Sequence, residues 1–362
     1  MASLFRAHYR ISLCLLAGLV LAFVLSSCRT TSHAQPFSDQ ELGQLFILGY
    51  KPEHFTEIVQ SAEENLGGVI FFRKNIKSPD QLKRDIQKLK QRNPQLLVAV
   101  DQEGGKVQRL DGRSQFPELA MPSAKAISQY APAEIKRRYE KLAKALVAIG
   151  FNLNLMPVVD IDKAESPTIG QLGRSYGDSQ SIIRHARIAI AAHKKYGVLT
   201  SLKHFPGHGS AWKDTHDGFV DATRQWSPQE LEPFRQLIRQ QPESVHLVMI
   251  SHMYNQQLDP VYPASLSKKT IDILRKTLNY KGAVISDDMQ MKALSQYSLE
   301  KRVELALKAG NDLLIFSNQC DEQVRLKKLV SITQQLIKEG KLEPSIVRQA
   351  MGRVAKLKKH IE

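Results

Sequence analysis

The chain alternates short apolar runs with longer segments in which apolar residues recur at helical spacing. Seven apolar runs predict strands, at residues 68–72, 96–100, 153–159, 198–202, 245–250, 283–285 and 312–316. Helical spacing predicts helices between them, among them residues 79–91, 132–149, 179–196 and 268–278. Strand-then-helix units repeated in this way predict a parallel sheet that is buried on both faces.

Helical patterns also occur at the two ends of this alternating region. Ser38-Asp39-Gln40-Glu41 is a capping-box sequence, and it is followed at helical spacing by Leu42, Leu45, Phe46 and Leu48. Pro344 opens a last amphipathic helix, whose apolar face consists of Ile346, Val347, Ala350, Val354 and Leu357. We therefore expect the domain to begin at Ser38 with a helix and to close with another.

Seven or eight strand–helix units most simply close into a barrel. The expected fold class is α/β, a single (β/α)8 TIM-type barrel over residues 38–362. An eighth strand is not evident in the sequence. A doubly wound open sheet is the alternative, but its dinucleotide-binding form needs Gly-x-Gly-x-x-Gly after the first strand, and the sequence lacks that pattern.

Residues 1–27 have the pattern of an export signal. Two arginines and no acid precede an apolar run of 14 residues, 11–24, which is shorter than the roughly 20 residues of a membrane-spanning helix. Leu25-Ser26-Ser27-Cys28 resembles the bacterial lipoprotein box, so we expect cleavage before Cys28, lipidation of its thiol and a membrane-anchored, exported protein. Residues 28–37 are then a tether. A plain secretory signal or an uncleaved anchor is the alternative.

Cysteine content and charge restrict the partners. Cys14 leaves with the signal and Cys28 is committed to lipid, so Cys320 is alone and is expected to be an idle thiol rather than a nucleophile. The formal net charge is +15, and loss of the two signal arginines leaves about +13. An exported basic protein is expected to contact anionic lipid or cell-wall polymer. Nucleic acid is not expected, because the Lys and Arg residues are spread over the chain without interleaved aromatic residues.

Polar and charged residues follow five of the predicted strands. In a barrel the reactive residues come from the carboxyl ends of strands, which meet at one face. Five charged strand ends at one face cost folding free energy and therefore predict a polar ligand. The segments are Asp101-Gln102-Glu103-Gly104-Gly105, Asp160-Ile161-Asp162, the KHFPGHG stretch at residues 203–209, Ser251-His252 and Ser286-Asp287-Asp288.

Two other chemistries fit the sequence poorly. His204 and His208 have the spacing of zinc ligands on a helix, but Pro206 and Gly207 lie between them and prevent that helix. Residues 173–177 match Gly-x-Ser-x-Gly, yet a loop rich in Ser, Pro, Thr and Gly precedes them instead of the apolar strand that a nucleophile elbow requires. We expect neither a zinc site nor a serine hydrolase.

Carboxylates beside Lys, Arg and His donors suit a sugar, whose hydroxyls need both donors and acceptors. Glycoside cleavage with retention requires a nucleophile and an acid/base group roughly 5 Å apart. Either Asp287 or Asp288 can be the nucleophile, since neighbouring strand residues face opposite ways and the pattern does not say which faces the mouth. Asp214-Thr215-His216 offers the second group, with the Asp orienting the imidazole. A loop Asx-turn beside a surface histidine is the alternative for that pair.

These segments together resemble the family 3 glycoside hydrolases, and within them the bacterial β-N-acetylglucosaminidases. The resemblance covers nearly all of residues 38–362 and rests on VAVDQEGGKVQR at 98–109, GRSYG at 173–177, KHFPGHG at 203–209, Asp-x-His at 214–216 and SDD at 286–288. The KHFPGHG stretch followed by Asp-x-His is what distinguishes these enzymes from the β-glucosidases of the family.

The resemblance implies that Asp287 is the nucleophile, that His216 is the acid/base and that Asp214 orients it. It also implies that the released sugar is bound by Asp101, Arg109, Arg174, Lys203 and His204. A carbohydrate substrate, no cofactor, no metal and a monomeric single-domain barrel are expected. Gly173 and Thr215 stand where relatives commonly have Asn and Ser, and the lipoprotein signal departs from the cytoplasmic location of many relatives.

The function expected from the sequence is therefore a retaining exo-β-N-acetylglucosaminidase that acts on peptidoglycan fragments or related amino-sugar glycans. A phosphorylase is one alternative, because a neutral imidazole does not repel phosphate as a carboxylate would. A β-glucosidase is another. A catalytically inactive wall-binding lipoprotein is the third, although intact Asp287, Asp214 and His216 argue against it.

Overall fold

The structure is a computed structural model that describes residues 36–361. The predicted signal peptide, Cys28 and the tether up to residue 35 lie outside the described residues. Phe37, which the sequence assigns to the tether, is 5% exposed, and the Arg348 guanidinium lies over its ring at 5.8 Å. The compact unit accordingly begins at Phe37. Within residues 36–361, every helix is too short or too polar to cross a membrane.

Eight parallel strands form a closed barrel in sequence order. They are β1 (Phe46–Leu48), β2 (Gly68–Phe71), β3 (Leu97–Val100), β4 (Leu153–Asn154), β5 (Leu199–Phe205), β6 (Leu247–Ile250), β7 (Ala283–Asp288) and β8 (Leu313–Phe316). Pairing of Phe46 with Leu314 and of Leu48 with Phe316 joins the first strand to the last. The predicted (β/α)8 barrel is confirmed.

Helices surround the barrel and connect its strands. In the described part of the chain they are α1 (Asp39–Gly43), α2 (Phe55–Glu63), α3 (Pro79–Arg92), α4 (Ala124–Ile127), α5 (Pro132–Ile149), α6 (Ser179–Lys195), α7 (Glu232–Gln240), α8 (Lys268–Asp272), α9 (Leu299–Ala309), α10 (Leu326–Lys338) and α11 (Pro344–Lys358). A π-helical turn, Ile273–Thr277, continues α8. Side chains of Ser78, Asp178 and Ser298 cap the amino ends of α3, α6 and α9, which fixes where these helices begin.

The strand missing from the sequence prediction is the first one. Ser38 and Glu41 form the predicted capping box, but α1 ends at Gly43 and Phe46–Leu48 is β1. The helical interpretation of Leu45, Phe46 and Leu48 was therefore wrong. All three residues of β1 are buried, because neighbouring strands flank it and helices cover the sheet, so the strand lacks the polar–apolar alternation that would have revealed it.

Apolar side chains form two layers. Inward-facing strand residues such as Ile47, Ala99 and Ile285 fill the barrel, whereas outward-facing ones pack against the helices. The predicted last helix, α11, inserts Val354 and Leu357 into the inner layer. It does so at the amino ends of the strands, leaving the polar side chains at the opposite end, the barrel mouth.

Candidate active site

Asp287 is the last inward-facing residue of β7. Ala283 and Ile285 lie in the barrel interior, whereas Val284 packs against the surrounding helices. Because strand residues alternate, Asp287 continues the inward face and lies at the mouth. Its carboxylate accepts a hydrogen bond from the backbone N–H of Asp288 at 2.8 Å. Of the two neighbouring carboxylates, Asp287 is therefore the one that faces the mouth.

Asp288 instead joins β7 to the segment that follows β8. Its Oδ1 accepts from the backbone N–H groups of Ser317 at 3.0 Å and Gln290 at 3.1 Å, where the pairing register between β7 and β8 shifts. Burial raises the pKa of Asp288 above its ordinary value, although these backbone donors oppose the rise. The contacts are those of a carboxyl group that holds the strand end in place.

Lys203, at the mouth end of β5, lies between two carboxylates. Its Nζ is 2.9 Å from Asp101 Oδ1 and 2.6 Å from Glu103 Oε1. The second oxygen of Asp101 accepts from Arg109 Nη2 at 3.0 Å. Three of the predicted sugar-binding residues, Asp101, Arg109 and Lys203, thus meet in one ion-pair network, which also includes Glu103.

Arg174 extends this network across the mouth. Its Nε and Nη2 donate to the two oxygens of Glu103 at 2.9 and 2.8 Å. Nη2 also lies 3.3 Å from His204 Nε2, which must accept because a guanidinium only donates. His204 Nδ1 in turn donates to Asp160 at 2.7 Å. Both ring nitrogens of His204 are therefore engaged within the protein, so this predicted sugar ligand holds Arg174 in position.

The buried charges of the network stabilise one another. Burial alone would raise the pKa of Glu103, but Arg174 and Lys203 outweigh it and lower that pKa to about 2. Burial likewise favours neutral Asp101, yet Lys203 and Arg109 hold its pKa below the ordinary value. Burial would lower the pKa of Lys203, but Asp101 and Glu103 raise it overall. The mouth therefore presents fixed charges at neutral pH.

The loop between β5 and α7 carries Asp214 and His216 beside the mouth. The backbone N–H of His208 donates to Asp160 at 2.7 Å and fixes the start of the loop. Further along, Thr215 is 2% exposed. Its carbonyl accepts from the Ala293 N–H at 3.2 Å, and its hydroxyl lies 3.4 Å from His208 Nε2. Thr215 thereby fixes the loop between the two residues expected to act in catalysis.

Asp214 orients the ring of His216. A single oxygen, Oδ1, accepts from His216 N at 2.8 Å and from Nδ1 at 2.7 Å. Burial raises the pKa of Asp214, but the hydrogen bonds and charge of His216 outweigh it and lower that pKa overall. An ionised carboxylate only accepts, so Nδ1 carries a proton and Nε2 is left for a ligand. The His216 side chain is 69% exposed.

Asp287 lies within electrostatic range of this loop and of His252, which follows β6. Burial raises the pKa of Asp287, but the imidazoles of His252, His204 and His216 outweigh it and hold that pKa below its ordinary value. Asp287 is therefore ionised at neutral pH, as a nucleophile must be. His252 is itself held by its Nε2, which donates to the Asp288 carbonyl at 2.8 Å.

The chemistries that the sequence disfavoured also lack geometric support. Ser175 is buried and donates to the Asp160 carbonyl at 2.6 Å, which occupies the hydroxyl that a serine hydrolase would need. In residues 36–361, no group of three His, Cys, Asp or Glu side chains is arranged to hold a metal ion. Cys320 is exposed, and partial burial of its thiol raises its pKa, the opposite of activation.

With the geometry in place, comparison with known proteins identifies the family. The model of the glycosyl hydrolase family 3 N terminal domain matches residues 38–357. The chain belongs to glycosyl hydrolase family 3. The match spans the barrel from the capping residue of α1 to nearly the end of α11, and the family predicted from the sequence is confirmed.

Individual known proteins are similar to this chain over most of its length. The beta-hexosaminidase of Nitrosomonas eutropha is 32% identical over 324 residues, covering 83% of this chain and 88% of that protein. The structure of Beutenbergia cavernae beta-N-acetylhexosaminidase has a TM-score of 0.80 and 27% identity, covering 89% of this chain and 99% of that one. A fungal multi-domain GH3 beta-N-acetylglucosaminidase has a TM-score of 0.79 at 28% identity. The present chain spans 40% of that longer protein.

Two residues that organise the site, Glu103 and Asp160, have no role that the sequence pattern indicates. Glu103 accepts from Arg174 and Lys203, and Asp160 accepts from His204 and from the backbone of His208. Both residues stood in predicted strand-end segments, so their position at the mouth was visible. Their partners are 44 to 100 residues away in sequence, and only the closed barrel brings them together.

Proposed function

We propose that the protein is a retaining exo-β-N-acetylglucosaminidase that hydrolyses terminal, non-reducing β-linked N-acetylglucosamine. The observation that carries the proposal is an ionised, inward-facing Asp287 within electrostatic range of His216, whose Nδ1 is held by Asp214. These are the two groups that a double displacement at a sugar C1 needs. Similarity to proteins named beta-hexosaminidase and beta-N-acetylglucosaminidase supports the choice of sugar.

The first step forms a covalent bond between an Asp287 oxygen and C1 of the sugar. As the glycosidic C–O bond breaks, Nε2–H of His216 gives its proton to the leaving oxygen, and Asp214 stabilises the imidazole throughout. In the second step Nε2 takes a proton from water, whose oxygen attacks C1 and releases Asp287. One water is consumed, and the β configuration is retained.

The ion-pair network binds the sugar that is released. Asp101, Lys203 and Arg109 lie on the inward side of the mouth and offer an acceptor and donors for neighbouring hydroxyls. Arg109 Nε is buried and has no hydrogen-bond partner within residues 36–361, so a donor is left for a ligand. Arg174 supports the network from beneath through Glu103 and His204.

Peptidoglycan fragments are the proposed natural substrates, because an exported enzyme anchored at a membrane meets the cell wall. The test is turnover of a chromogenic β-N-acetylglucosaminide and of defined muropeptides, with and without phosphate. Free N-acetylglucosamine, released first as the β anomer and independent of phosphate, is expected. An N-acetylglucosamine phosphate product would identify a phosphorylase instead, and the absence of turnover would contradict the proposal.

The lipid anchor at Cys28 is part of the proposal. It is supported by the charged, apolar and small-residue segments that precede Cys28 in the sequence. The protein is expected to fractionate with membranes, and Cys28→Ala should release it or leave the precursor unprocessed. Cys320→Ala is the matched control and should change neither outcome. Identical fractionation and migration of the Cys28→Ala variant and the parent would show that the assignment is wrong.

A further inference from the structure

The amino-terminal face of the barrel, opposite the mouth, is basic. Helix α11 closes this face and contains four basic residues and no acidic one. Arg353 pairs with Asp312 and Lys358 is buried, so Arg348 and Lys356 are the two that carry charge at the surface. Several surrounding helices also end here, since each runs back from the mouth, and basic residues occupy the last turns of α3, α6, α7, α9 and α10. Such residues complement helix dipoles, and the barrel gathers them on one face.

A groove of about 860 Å³ lies on this face beside α11. Arg239, Lys281 and Lys356 line it, and within residues 36–361 none of the three forms an ion pair with a carboxylate. Among the described residues, Glu243 is the one acidic residue that lines the groove. The stacked imidazoles of His246 and His360, with ring centroids 4.0 Å apart, form one of its walls. The groove therefore has unneutralised positive charge facing solvent.

The chain reaches this same face at its amino-terminal end. Phe37 packs beneath Arg348 of α11, and Lys358 donates to Gln44 at 2.5 Å just before β1 begins. Cys28 precedes Phe37 by nine residues, which span at most about 30 Å when fully extended. A lipid on Cys28 would therefore be joined to the domain at this face, within about 30 Å of chain from Phe37.

We propose that the amino-terminal face, meaning α11 with the groove lined by Arg239, Lys281 and Lys356, docks on an anionic phospholipid surface. The orientation rests on the lipid anchor proposed above, whereas the attraction depends only on charge. Basic side chains near an anionic bilayer are attracted over about a Debye length, so several contribute without a specific pocket. Docking this face points the mouth away from the bilayer, towards the cell wall.

Vesicle sedimentation tests the proposal without the anchor. Residues 29–362, which contain the whole compact unit, are mixed with vesicles of phosphatidylcholine alone or with added phosphatidylglycerol. Binding should require phosphatidylglycerol and fall steeply with added salt. The double variant Lys281→Glu, Lys356→Glu should bind about tenfold more weakly or worse, since each basic residue adds to the attraction. Turnover of a chromogenic substrate should be unchanged.

The matched control is Lys83→Glu with Arg84→Glu. These exposed residues lie in the first half of α3, towards the mouth, and the double variant has the same net charge as the test variant. It should bind vesicles nearly as well as the parent. Equal weakening of both variants would mean that overall charge acts rather than this face. Absence of binding, or binding only to a soluble anionic wall polymer, would also overturn the proposal. None of these vesicle experiments includes Cys28. The lipid assignment is therefore tested independently, by the fractionation experiment described above.

Discussion

Asp287 and Asp288 are consecutive in β7 but face opposite sides of the barrel wall. Asp287 lies at the mouth within electrostatic range of three histidines, whereas Asp288 accepts two backbone hydrogen bonds from the segments after β7 and β8. A charge at the mouth contributes to chemistry, and a hydrogen-bonded strand end contributes to stability. Substitution of Asp287 should therefore lower activity, whereas substitution of Asp288 should lower stability.

Asp287→Ala should lower the hydrolysis rate by several orders of magnitude and leave the melting temperature nearly unchanged, since the residue holds no strand in place. Asp288→Ala should cost about 1–3 kcal/mol of stability, because two partly buried backbone N–H groups lose their acceptor. Asp288→Asn keeps an acceptor oxygen and should restore stability. A fluorosugar that traps the intermediate should label Asp287 in mass spectrometry. Label on Asp288, or an inverted product, would refute the assignment.

His216→Ala should slow poor leaving groups far more than good ones. General acid catalysis is worth about 10²–10⁴-fold, and an activated phenyl glycoside needs little of it. The measurement compares kcat/KM on an activated aryl glycoside and on a natural disaccharide. His54 is the control, because it also contacts a carboxylate, Glu57, at 3.0 Å, but lies in the short 3-10 helix between β1 and α2. His54→Ala should leave both rates intact. An equal loss on both substrates for His216→Ala would count against the acid/base role.

Glu103→Gln should weaken both sugar binding and the fold. The substitution leaves Arg174 and Lys203 buried with one carboxylate fewer, a defect that typically costs about 3–5 kcal/mol. The pKa of Glu103 is lowered to about 2 in the folded protein, so its stabilising effect is complete above the unfolded value near 4.5 and is lost as pH falls towards 2. The stability difference from wild type should therefore shrink in acid.

Denaturant unfolding at several pH values checks this, together with KM for the chromogenic substrate. Glu134→Gln is the control, because Glu134 also pairs with two arginines, Arg137 and Arg138, but does so on the surface of α5. Exposed pairs contribute little, so this variant should stay close to wild type. A Glu103→Gln variant with wild-type stability and KM would show that the network does not organise the mouth.

The elements that the sequence predicted well are those with a long pattern or a recognisable end. α5 has the predicted bounds, 132–149. α3 differs from its prediction by one residue only, because its Ser-Pro start and its amphipathic spacing are both clear in the sequence. β1 was missed because three buried residues next to a helix cap carry no periodicity of their own. β4 is shorter than the predicted 153–159 because Pro157 interrupts the regular ladder, although Val158 still bridges Lys203 of β5.

For the active site, the sequence predicted which residues lie at the barrel mouth but not which residues they contact. Asp101 follows β3, and Lys203 and Asp287 come after the apolar residues of β5 and β7, so their common face was predictable from parallel topology. The inward direction of Asp287 required knowing which residues of β7 fill the barrel. The hydrogen bond from the Ala293 N–H to the Thr215 carbonyl fixes the catalytic loop. It joins backbone atoms, so the pattern of side chains in the sequence could not predict it.

His193 is a buried histidine that contacts Asn154 of β4. His193 of α6 is fully buried; its Nδ1 donates to the Ala189 carbonyl at 2.8 Å, and its Nε2 accepts from Asn154 Nδ2 at 3.1 Å. The side-chain oxygen of Asn154 in turn accepts from the backbone N–H of Gln102. Gln102 lies in sequence between Asp101 and Glu103, the two carboxylates that hold Lys203. A proton on Nε2 would face a second donor, so charging His193 should disturb both the fold and the mouth.

Burial lowers the pKa of His193 from 6.5 to about 4. Below pH 6.5 the unfolded chain therefore binds a proton at His193 that the folded protein does not bind until about pH 4. The free energy of unfolding should be lower at pH 4 than at neutral pH by roughly 3 kcal/mol from this residue. His193→Gln keeps an acceptor for Asn154 and removes the titration, so its stability should depend less on pH across this interval, even if it is lower at neutral pH. Free energies of unfolding at closely spaced pH values give both slopes. Parallel slopes for wild type and variant would mean that His193 does not couple protons to folding.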